Sequence, residues 1–283
     1  AIAANWQYMG RIFQPPFTVG GKEANTLKIA TYNVDSFGNE QSGYSCKEIA
    51  AYMKEHRVDI ICFQEFAGNR YFTSDSIRNA FADWQYAVIP QASDSTPILQ
   101  VALFSKYPVK DSRLITYPDS KNCSMWCDLD VNGQTVRVFN SHLQTTEVSQ
   151  NKRRLERELA KNELTGREEA VAKQLLEGLN ENFRKRAAQA KTLEQLIRTT
   201  PYPILVCGDF NSLPSSYTYS TVKGDNLQDG FQTCGHGYMY TFRYFKRLLR
   251  IDYIFHSKEF KGVDYYSPDL CSDHNPVVME VKM

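Results

Sequence analysis

The sequence predicts a single α/β domain whose buried strands end in polar side chains. Short apolar segments, rich in branched and aromatic residues, alternate with turn-rich loops and one long amphipathic helical region. The apolar segment at residues 203–207 stops at Gly208, and Asp209 and Asn211 follow on one face of extended backbone. Because 42% of the 283 residues are hydrophobic, the chain can bury one large core.

The first third of the chain predicts a strand, a helix and a second strand. Residues 27–33 alternate in polarity and are rich in β-forming residues, which predicts the first strand. Ser45 and Glu48 form a capping-box pattern at the start of a helix. Residues 58–63 predict a second buried strand, which is followed by Glu65. Ligands of such β-helix-β units lie beyond the carboxyl ends of the strands.

The middle of the chain predicts short elements and then a long helical region. A helix is predicted at residues 76–81, and strands are predicted at residues 86–89, 101–104, 125–131 and 136–140. Asn132 and Gly133 join the last two of these strands with the strongest short hairpin signal. Residues 147–199 have helical spacing with a break at Thr165. The pattern favours a solvated helical segment followed by a core-packed helix over a partner-binding role.

The last third predicts two further strands beside acidic residues. Residues 250–255 predict a strand that contains Asp252. Residues 277–281 predict a final strand, which follows a loop that contains Asp273 and His274. Polar side chains therefore accompany the predicted strands here as they do earlier in the chain.

The N-terminal residues differ from the rest of the chain in their composition. Their aromatic, proline and paired glycine residues show no packed-element pattern, which predicts an extended lead-in at residues 1–26 and one folded domain at residues 27–283. The chain begins with Ala1, and we expect residues 1–21 to be a tether after a membrane segment or signal. No apolar run of the length that a membrane helix needs occurs in the chain. Two locations stay open: membrane-anchored and extracytoplasmic, or cytoplasmic.

Charge and cysteine content narrow the functional classes only slightly. The formal net charge of +1 gives no general attraction for nucleic acid, although a local basic groove is compatible with it. Among seven cysteines, Cys123 and Cys127 are four residues apart and have no histidine nearby, which is a poor zinc signature. We predict no obligatory disulfide framework, and a single bridge stays open.

Eight polar residues lie at the ends of the predicted strands, within one of them or in a loop beside one: Asn33, Glu65, His142, Asp209, Asn211, Asp252, Asp273 and His274. Oxygen-rich sites select Mg²⁺, Mn²⁺ or Ca²⁺ over zinc. Histidines beside carboxylates transfer protons near neutral pH. A divalent ion with histidine acid/base chemistry suits hydrolysis of a phosphate ester. Helix N-caps and Asx-turns are the structural alternative for Asp209 and Asn211.

Six segments in order resemble the endonuclease/exonuclease/phosphatase superfamily: Thr31-Tyr32-Asn33, Phe63-Gln64-Glu65, Ser141-His142-Leu143, Gly208-Asp209-Phe210-Asn211, Arg250-Ile251-Asp252-Tyr253 and Ser272-Asp273-His274-Asn275-Pro276. The resemblance covers nearly the whole chain. It implies a four-layer α/β sandwich, in which two mainly antiparallel sheets are flanked by helices. It also implies a Mg²⁺ cofactor, for which Mn²⁺ or Ca²⁺ can substitute.

The resemblance further implies a role for each strand-end residue. Glu65 would be the main metal ligand, with Asn33 and Asp273 nearby. Asp209 and Asn211 would position the phosphate and the attacking water. Asp252 would orient His274, which would act on the nucleophile or stabilise the phosphoryl charge, and His142 would be an acid or a phosphate donor.

Residues 241–250 interleave basic and aromatic side chains. Such a stretch grips phosphates and stacks bases, and a surface strand pair has the same pattern. We assign Arg243 and Arg250, together with Asn211, to the substrate phosphate.

The predicted function is that of a metal-dependent phosphodiesterase. The alternatives are an endonuclease acting on DNA or RNA, a phosphomonoesterase acting on a small or lipid phosphate, and an inactive binding module that keeps the fold. As in some bacterial members of the superfamily, we expect a membrane association through a segment outside this chain. We expect a monomer.

Overall fold

The computed structural model describes Gly10 and residues 13–14, 26–91, 98–146 and 168–283, without the side chains of Gln14 and residues 168–176. In this part of the chain, two six-stranded sheets pack face to face and helices cover both outer faces. This is the predicted four-layer sandwich. Both sheets are mixed, because each contains one parallel pair among otherwise antiparallel neighbours.

The strands are β1 (Phe13–Gln14), β2 (Thr26–Asn33), β3 (Ile60–Gln64), β4 (Tyr86–Val88), β5 (Ala102–Ser105), β6 (Val109–Thr116), β7 (Cys123–Val131), β8 (Gln134–His142), β9 (Ile204–Asp209), β10 (Leu227–Asp229), β11 (Gly237–Tyr238), β12 (Asp252–Ser257), β13 (Lys261–Tyr266) and β14 (Val277–Lys282). The α-helices are α1 (Tyr44–Glu55), α2 (Ser74–Ala80), α3 (Glu168–Arg198), α4 (Tyr217–Lys223) and α5 (Gly230–Cys234).

The first large sheet combines strands from both ends of the chain. Its order is β13-β14-β2-β3-β5-β4. Strands β2 and β3 are parallel, as the predicted β-helix-β unit requires, and α1 connects them. Strand β14 pairs antiparallel with the other side of β2. The loop that carries Asp273 and His274 is therefore delivered to the same edge as the end of β2.

The second large sheet holds the middle of the chain. Its order is β10-β12-β9-β8-β7-β6. Strands β8 and β9 are its parallel pair, and β7 and β8 form the predicted hairpin. At the hairpin turn, Asn132 and Gly133 both have positive φ angles, 53° and 90°, as a type I′ turn requires. A separate two-stranded sheet joins β1 to β11.

Three apolar clusters hold the layers together. The largest lies between the sheets and takes Ile29 and Met279 from one sheet and Val138 and Cys207 from the other. A second cluster packs α1 and α2 on the first sheet, and a third packs α3 and α4 on the second sheet. The apolar strand runs of the sequence are buried on both faces for this reason.

Two buried amides connect the sheets directly beneath the strand ends. The Nε2 atom of Gln64 donates to Oδ1 of Asn140 at 2.6 Å. The Nδ2 atom of Asn140 donates in turn to the carbonyl oxygens of Phe63, at 3.0 Å, and Ala102, at 2.9 Å. These bonds cross between β3 and β8, so they fix how the two sheets meet.

Some local predictions need correction. Helix α1 begins at Tyr44 with Gly43 as its N-cap, and the Ser45–Glu48 capping box is absent. The carboxylate of Glu40 instead accepts bonds from the Ser45 amide and hydroxyl. Strand β6 was not predicted, because this edge strand is largely exposed and has no apolar run.

Other predictions are tested only in part. The helix break at Thr165 lies outside the described residues, as does most of the predicted lead-in. All seven cysteines lie in the described part of the chain and are free. None of the described helices combines the length and the apolar character needed to cross a membrane.

Candidate active site

The two parallel strand pairs bring the predicted polar residues together at one edge of the sandwich. Strand β2 ends at Asn33, and Glu65 follows the parallel β3. In the other sheet, His142 at the end of β8 pairs in register with Asp209 at the end of β9. Asp252 begins β12 opposite Asp209 in an antiparallel register. The carboxyl ends of four strands therefore form the floor of one site.

Gly208 allows β8 and β9 to approach closely at this floor. A Cβ atom at Gly208 would lie 1.8 Å from the carbonyl oxygen of Ser141, and the φ angle of this residue is 139°. Only glycine fits such a contact without backbone movement. The residue thus fixes the separation of His142 and Asp209, the next residue on each strand.

Asn33 connects the two halves of the site. Its Nδ2 group donates to Oε1 of Glu65 at 3.0 Å and to Oδ2 of Asp209 at 3.1 Å. Its Oδ1 atom accepts from the Asp35 amide at 3.1 Å. The amide nitrogen of Asn33 therefore faces the carboxylates, and its oxygen turns toward the backbone.

His274, Asp252 and Asp209 form a buried, coupled group. The Nδ1 atom of His274 lies 2.9 Å from Oδ2 of Asp252, and its Nε2 atom lies 3.7 Å from Oδ2 of Asp209. Burial opposes a charge on the imidazole, but the two carboxylates outweigh it and raise the pKa of His274 to about 10. Burial and the Asp252 charge raise the pKa of Asp209 to about 6. The imidazole is thus kept in its charged form beside the side chains of Asp252 and Asp209.

His142 lies beneath the site rather than at its surface. Its side chain is fully buried, with Nε2 at 3.6 Å from Oε1 of Glu65 and 3.8 Å from Oδ2 of Asp209. Neither ring nitrogen has a hydrogen-bond partner within the described residues. Burial lowers the pKa of His142 to about 4, so the ring is neutral near pH 7. The neutral ring therefore lies beside both carboxylates without a hydrogen bond to either.

Three carboxylates gather at the accessible side of the floor: Asp35, Glu65 and Asp273. Burial raises the pKa of Asp35, and the negative charges of Asp273 and Glu65 raise it further. Asp35 was not predicted as a site residue, because only the chain fold brings it there. Such an accumulation of carboxylate oxygens suits a hard divalent cation.

A second grouping could also hold a metal. Of the described residues, Asp209, Asp252 and His274 place one ligand atom each within 4.8 Å of one another. His274 already bonds to Asp252 through Nδ1, however, and Mg²⁺ prefers an all-oxygen set. The donor chemistry therefore fits a cation better at Glu65 and Asp273 than at this group.

Helix α3 supports the floor of the site through a buried arginine, Arg186, which was not among the predicted site residues. The Nε atom of Arg186 donates to the Gln144 carbonyl at 2.7 Å, and its Nη1 group bonds to the Asn211 carbonyl and to Oγ of Ser212. Gln189 accepts from the Gln144 amide at 2.7 Å. The polar positions 182, 186 and 189 share one helix face, a spacing that could have revealed them.

Asn211 occupies a turn directly after β9. Its φ angle is 48°, a left-handed conformation that is uncommon outside glycine. Its backbone amide donates to Oδ1 of Asp209 at 2.8 Å, and its side chain donates to the Leu143 carbonyl at 3.1 Å. The Asx-turn alternative is therefore also realised here, since Asp209 both closes this turn and faces the site.

The structure does not bring both predicted phosphate-binding arginines to the site. Arg250 is buried and pairs with Asp229 through two nitrogens, at 2.8 and 3.2 Å. Arg243 donates to Oδ1 of Asn275 at 2.8 Å and to the Leu270 carbonyl. Residues 241–250 form neither a regular strand pair nor a continuous basic surface, and the assignment of Arg250 to a substrate phosphate is dropped.

A family model described as the endonuclease/exonuclease/phosphatase family matches residues 30–274. The chain belongs to this family. It is therefore a phosphoester hydrolase, as the strand-end residues predicted. No curated protein sequence matches the chain significantly.

Solved structures show the same fold in this family. An endonuclease/exonuclease/phosphatase from Bacteroides vulgatus superposes with a TM-score of 0.62 at 20% identity, over 91% of this chain and 99% of that one. A humanized D. rerio TDP2 superposes with a TM-score of 0.63 at 16% identity, over 91% of this chain and 99% of that one. The mannosyl-6-phosphatase Bt3783 of Bacteroides thetaiotaomicron superposes with a TM-score of 0.59 at 16% identity, over 91% of this chain and 100% of that one.

Proposed function

We propose that this family member is a phosphodiesterase that requires a divalent cation, with Mg²⁺ as the preferred ion. One observation carries the proposal: a charged, carboxylate-aligned His274 lies beside Asp209, and carboxylates at Glu65 and Asp273 lie at the accessible side of the same floor. This arrangement supplies a proton-transfer group and an oxygen-rich cation site together.

Glu65 and Asp273 would hold the cation. When bound, the ion would neutralise charge on the phosphoryl oxygens. Asn33 would act as a positioning residue, because its amide nitrogen faces Glu65 and Asp209. This differs from a direct ligand role, which would need its oxygen to face the site.

His274 would donate a charge-assisted hydrogen bond from Nε2 to a phosphoryl oxygen. Asp252 keeps the ring aligned through Nδ1, so no reorientation is needed during the reaction. Asp209, with a pKa of about 6, would accept a proton from the attacking water near neutral pH. Asn211 would hold the phosphate beside it. His142 would position Glu65 and Asp209 from below, rather than act as an acid, since its side chain is fully buried.

A nuclease is the second candidate. Among the structural neighbours, D. rerio TDP2 is solved with a single strand DNA product. In this chain, Lys246 and Arg247 are exposed in the turn that also carries Phe245, a side chain that lines the cavity beside His274. A basic and aromatic rim of this kind favours a single strand over a duplex.

A substrate panel tests the proposal. Hydrolysis of bis-p-nitrophenyl phosphate, p-nitrophenyl phosphate, single-stranded DNA and plasmid DNA would be compared with Mg²⁺, Mn²⁺, Ca²⁺ or excess EDTA. We expect turnover of the diester with Mg²⁺ and none in EDTA. Faster turnover of the monoester would contradict a phosphodiesterase, and full activity in EDTA would contradict the metal requirement. Monomeric state and membrane attachment stay predictions.

A further inference from the structure

The cavity over the site is lined by large apolar side chains as well as by the catalytic residues. It has a volume of about 710 Å³, and Glu65, Asp209, Asp273 and His274 are among its lining residues. Six large apolar side chains also line it, interspersed with serine and threonine hydroxyls, and are here called the apolar wall: Phe183, Leu213, Tyr217, Phe242, Phe245 and Leu249. Cavities of this size accommodate small molecules.

The apolar wall begins at the catalytic histidine. The ring of Phe242 lies 4.9 Å from the imidazole of His274 and 6.2 Å from the ring of Phe245, measured between centroids. A phosphate held at His274 would therefore place one of its ester groups against Phe242. The wall and the catalytic residues belong to one continuous space.

Four of the six members of the wall are exposed although they are large and apolar, and Phe242 and Leu249 are half-buried. Phe183, Leu213, Tyr217 and Phe245 are 52%, 42%, 55% and 43% exposed. They come from helix α3, from the loop and first turn around α4, and from the loop before β12, so no single amphipathic element accounts for them. Phe183 lines the cavity and is not part of the core under α3. Apolar patches of this kind mark binding sites.

The charges of the cavity argue against a substrate that is held through many phosphates. Of the described residues that line it, Arg186 is the one arginine or lysine, and its Nε and Nη1 groups are bonded to backbone carbonyls. Tight nucleic-acid binding needs several phosphate contacts. A single phosphate with an apolar substituent fits these residues better.

We propose that the apolar wall binds an apolar ester group of the substrate, so that the preferred substrates are phosphodiesters with a bulky alkyl or aryl group. This inference rests on the proposed phosphodiesterase function and names its substrate class. The phosphate lies at the catalytic end, and the alkyl or aryl group extends from His274 along Phe242 to Phe245.

A series of p-nitrophenyl phosphodiesters tests the wall, since all share one leaving group. The second ester group is methyl, octyl, phenyl or thymidine, at concentrations that keep the octyl compound monomeric. Each buried methylene contributes about fourfold, so burial of half of the seven added methylenes predicts that kcat/KM rises about 100-fold from methyl to octyl. The octyl and phenyl compounds distinguish an alkyl from an aryl preference.

Exposed wall residues can be changed without disturbing the core. Phe245→Ser and Leu213→Ser should each lower the octyl-to-methyl ratio at least about fivefold. Leu248→Ser is the matched control, because Leu248 is 61% exposed in the same loop and does not line the cavity. It should leave the ratio unchanged.

Three results would overturn the inference. The first is turnover of the methyl compound equal to that of both the octyl and the phenyl compounds, and the second is a thymidine compound that exceeds both the octyl and phenyl compounds. The third is an unchanged octyl-to-methyl ratio in the wall variants together with a lowered Tm, which would mean that the wall packs against the chain itself. Failure to hydrolyse any diester would contradict the proposed function instead. In that case, binding of octylphosphonate by calorimetry still tests the wall.

Discussion

The Nδ1 atom of His274 lies 2.9 Å from the Oδ2 atom of Asp252, the residue that begins β12. Both side chains are buried, and Oδ1 of Asp252 has no hydrogen-bond partner within the described residues. The carboxylate therefore accepts from one ring nitrogen and leaves the other directed at Asp209. This pairing makes the orientation of the imidazole independent of the substrate.

Replacing Asp252 with asparagine should reduce turnover and preserve the fold. An amide cannot compensate the imidazolium charge, so we expect kcat to fall about 10²- to 10⁴-fold with a smaller change in KM. Steady-state kinetics on a chromogenic diester, at a temperature well below Tm, measures the effect. Asp128→Asn is a matched control, because Asp128 pairs with Arg137 away from the strand-end residues and the cavity lining. A kcat within threefold of wild type would refute the assigned role of Asp252.

Substitutions at Glu65 and His274 should differ in their effects on metal binding and on turnover. Glu65→Gln removes a carboxylate charge from the proposed cation site, so calorimetry should show weaker Mg²⁺ binding. His274→Ala should keep Mg²⁺ binding and lose turnover by about 10²- to 10⁴-fold. If His274→Ala abolished Mg²⁺ binding and Glu65→Gln did not, the ion would belong at the group of Asp209, Asp252 and His274.

Arg186→Ala should lower both stability and kcat, because it removes the bonds to the carbonyls of Gln144 and Asn211. An unpaired buried carbonyl costs about 1–3 kcal/mol, and urea denaturation should detect this loss. Because the Asn211 turn would loosen, kcat should fall more than KM rises when Mg²⁺ is saturating. Arg184→Ala, at an exposed position of the same helix, is the control. Loss of stability with an unchanged kcat would restrict Arg186 to a structural role.

Asn140→Leu should destabilise the junction of the two sheets. The substitution leaves the carbonyls of Phe63 and Ala102 without the Asn140 amide and removes an acceptor from Gln64. We expect a loss of about 3 kcal/mol in the free energy of unfolding, measured by urea denaturation. Asn79→Leu, at an exposed position of α2, should change it by less than about 0.5 kcal/mol. Similar losses in the two variants would argue against the amide junction.

Stability should fall in mild acid through His256. Burial lowers the pKa of this histidine, although the Ser257 carbonyl and Asp229 act in the opposite direction. The unfolded chain takes up the proton near pH 6.5, and the native chain takes it up only at lower pH. The stability that comes from burying neutral His256 is therefore complete above about pH 6.5, and it is lost as the pH falls below this value.

The measurement is thermal or urea unfolding of wild type and His256→Gln between pH 7.5 and 5. Wild type should lose more stability over this range than the variant. A steeper pH dependence in the variant would contradict the assignment, because the native state would then bind the proton more readily than the unfolded chain.

The sequence was sufficient to predict the strand-end residues because an apolar run defines where its strand stops. Asn33, Glu65, His142 and Asp209 each end or follow such a run, and parallel pairing brings these ends to one edge. The sandwich followed from the family resemblance, since periodicity alone does not define how two sheets face each other.

Other features depend on tertiary contacts and could not be predicted. Asp35 follows a strand end, but only the β14 loop brings Asp273 near it. Arg186 belongs to the helical region, whose pattern indicated an apolar stripe and gave no sign of a buried cation. Arg250 has the pattern of a surface phosphate ligand, yet it pairs with Asp229 inside the fold.

The position of β14 beside β2 has a consequence for how the protein is made. Ser272 donates to the carbonyl of Asn33 across 239 residues of sequence, so the first strand of the site completes its contacts only after the segment around Ser272 has been synthesised. Until then, one edge of β2 is unpaired, and open edges of this kind invite association between nascent chains. His274 arrives on the same late segment, which means that hydrolytic activity begins only when synthesis of this region is complete.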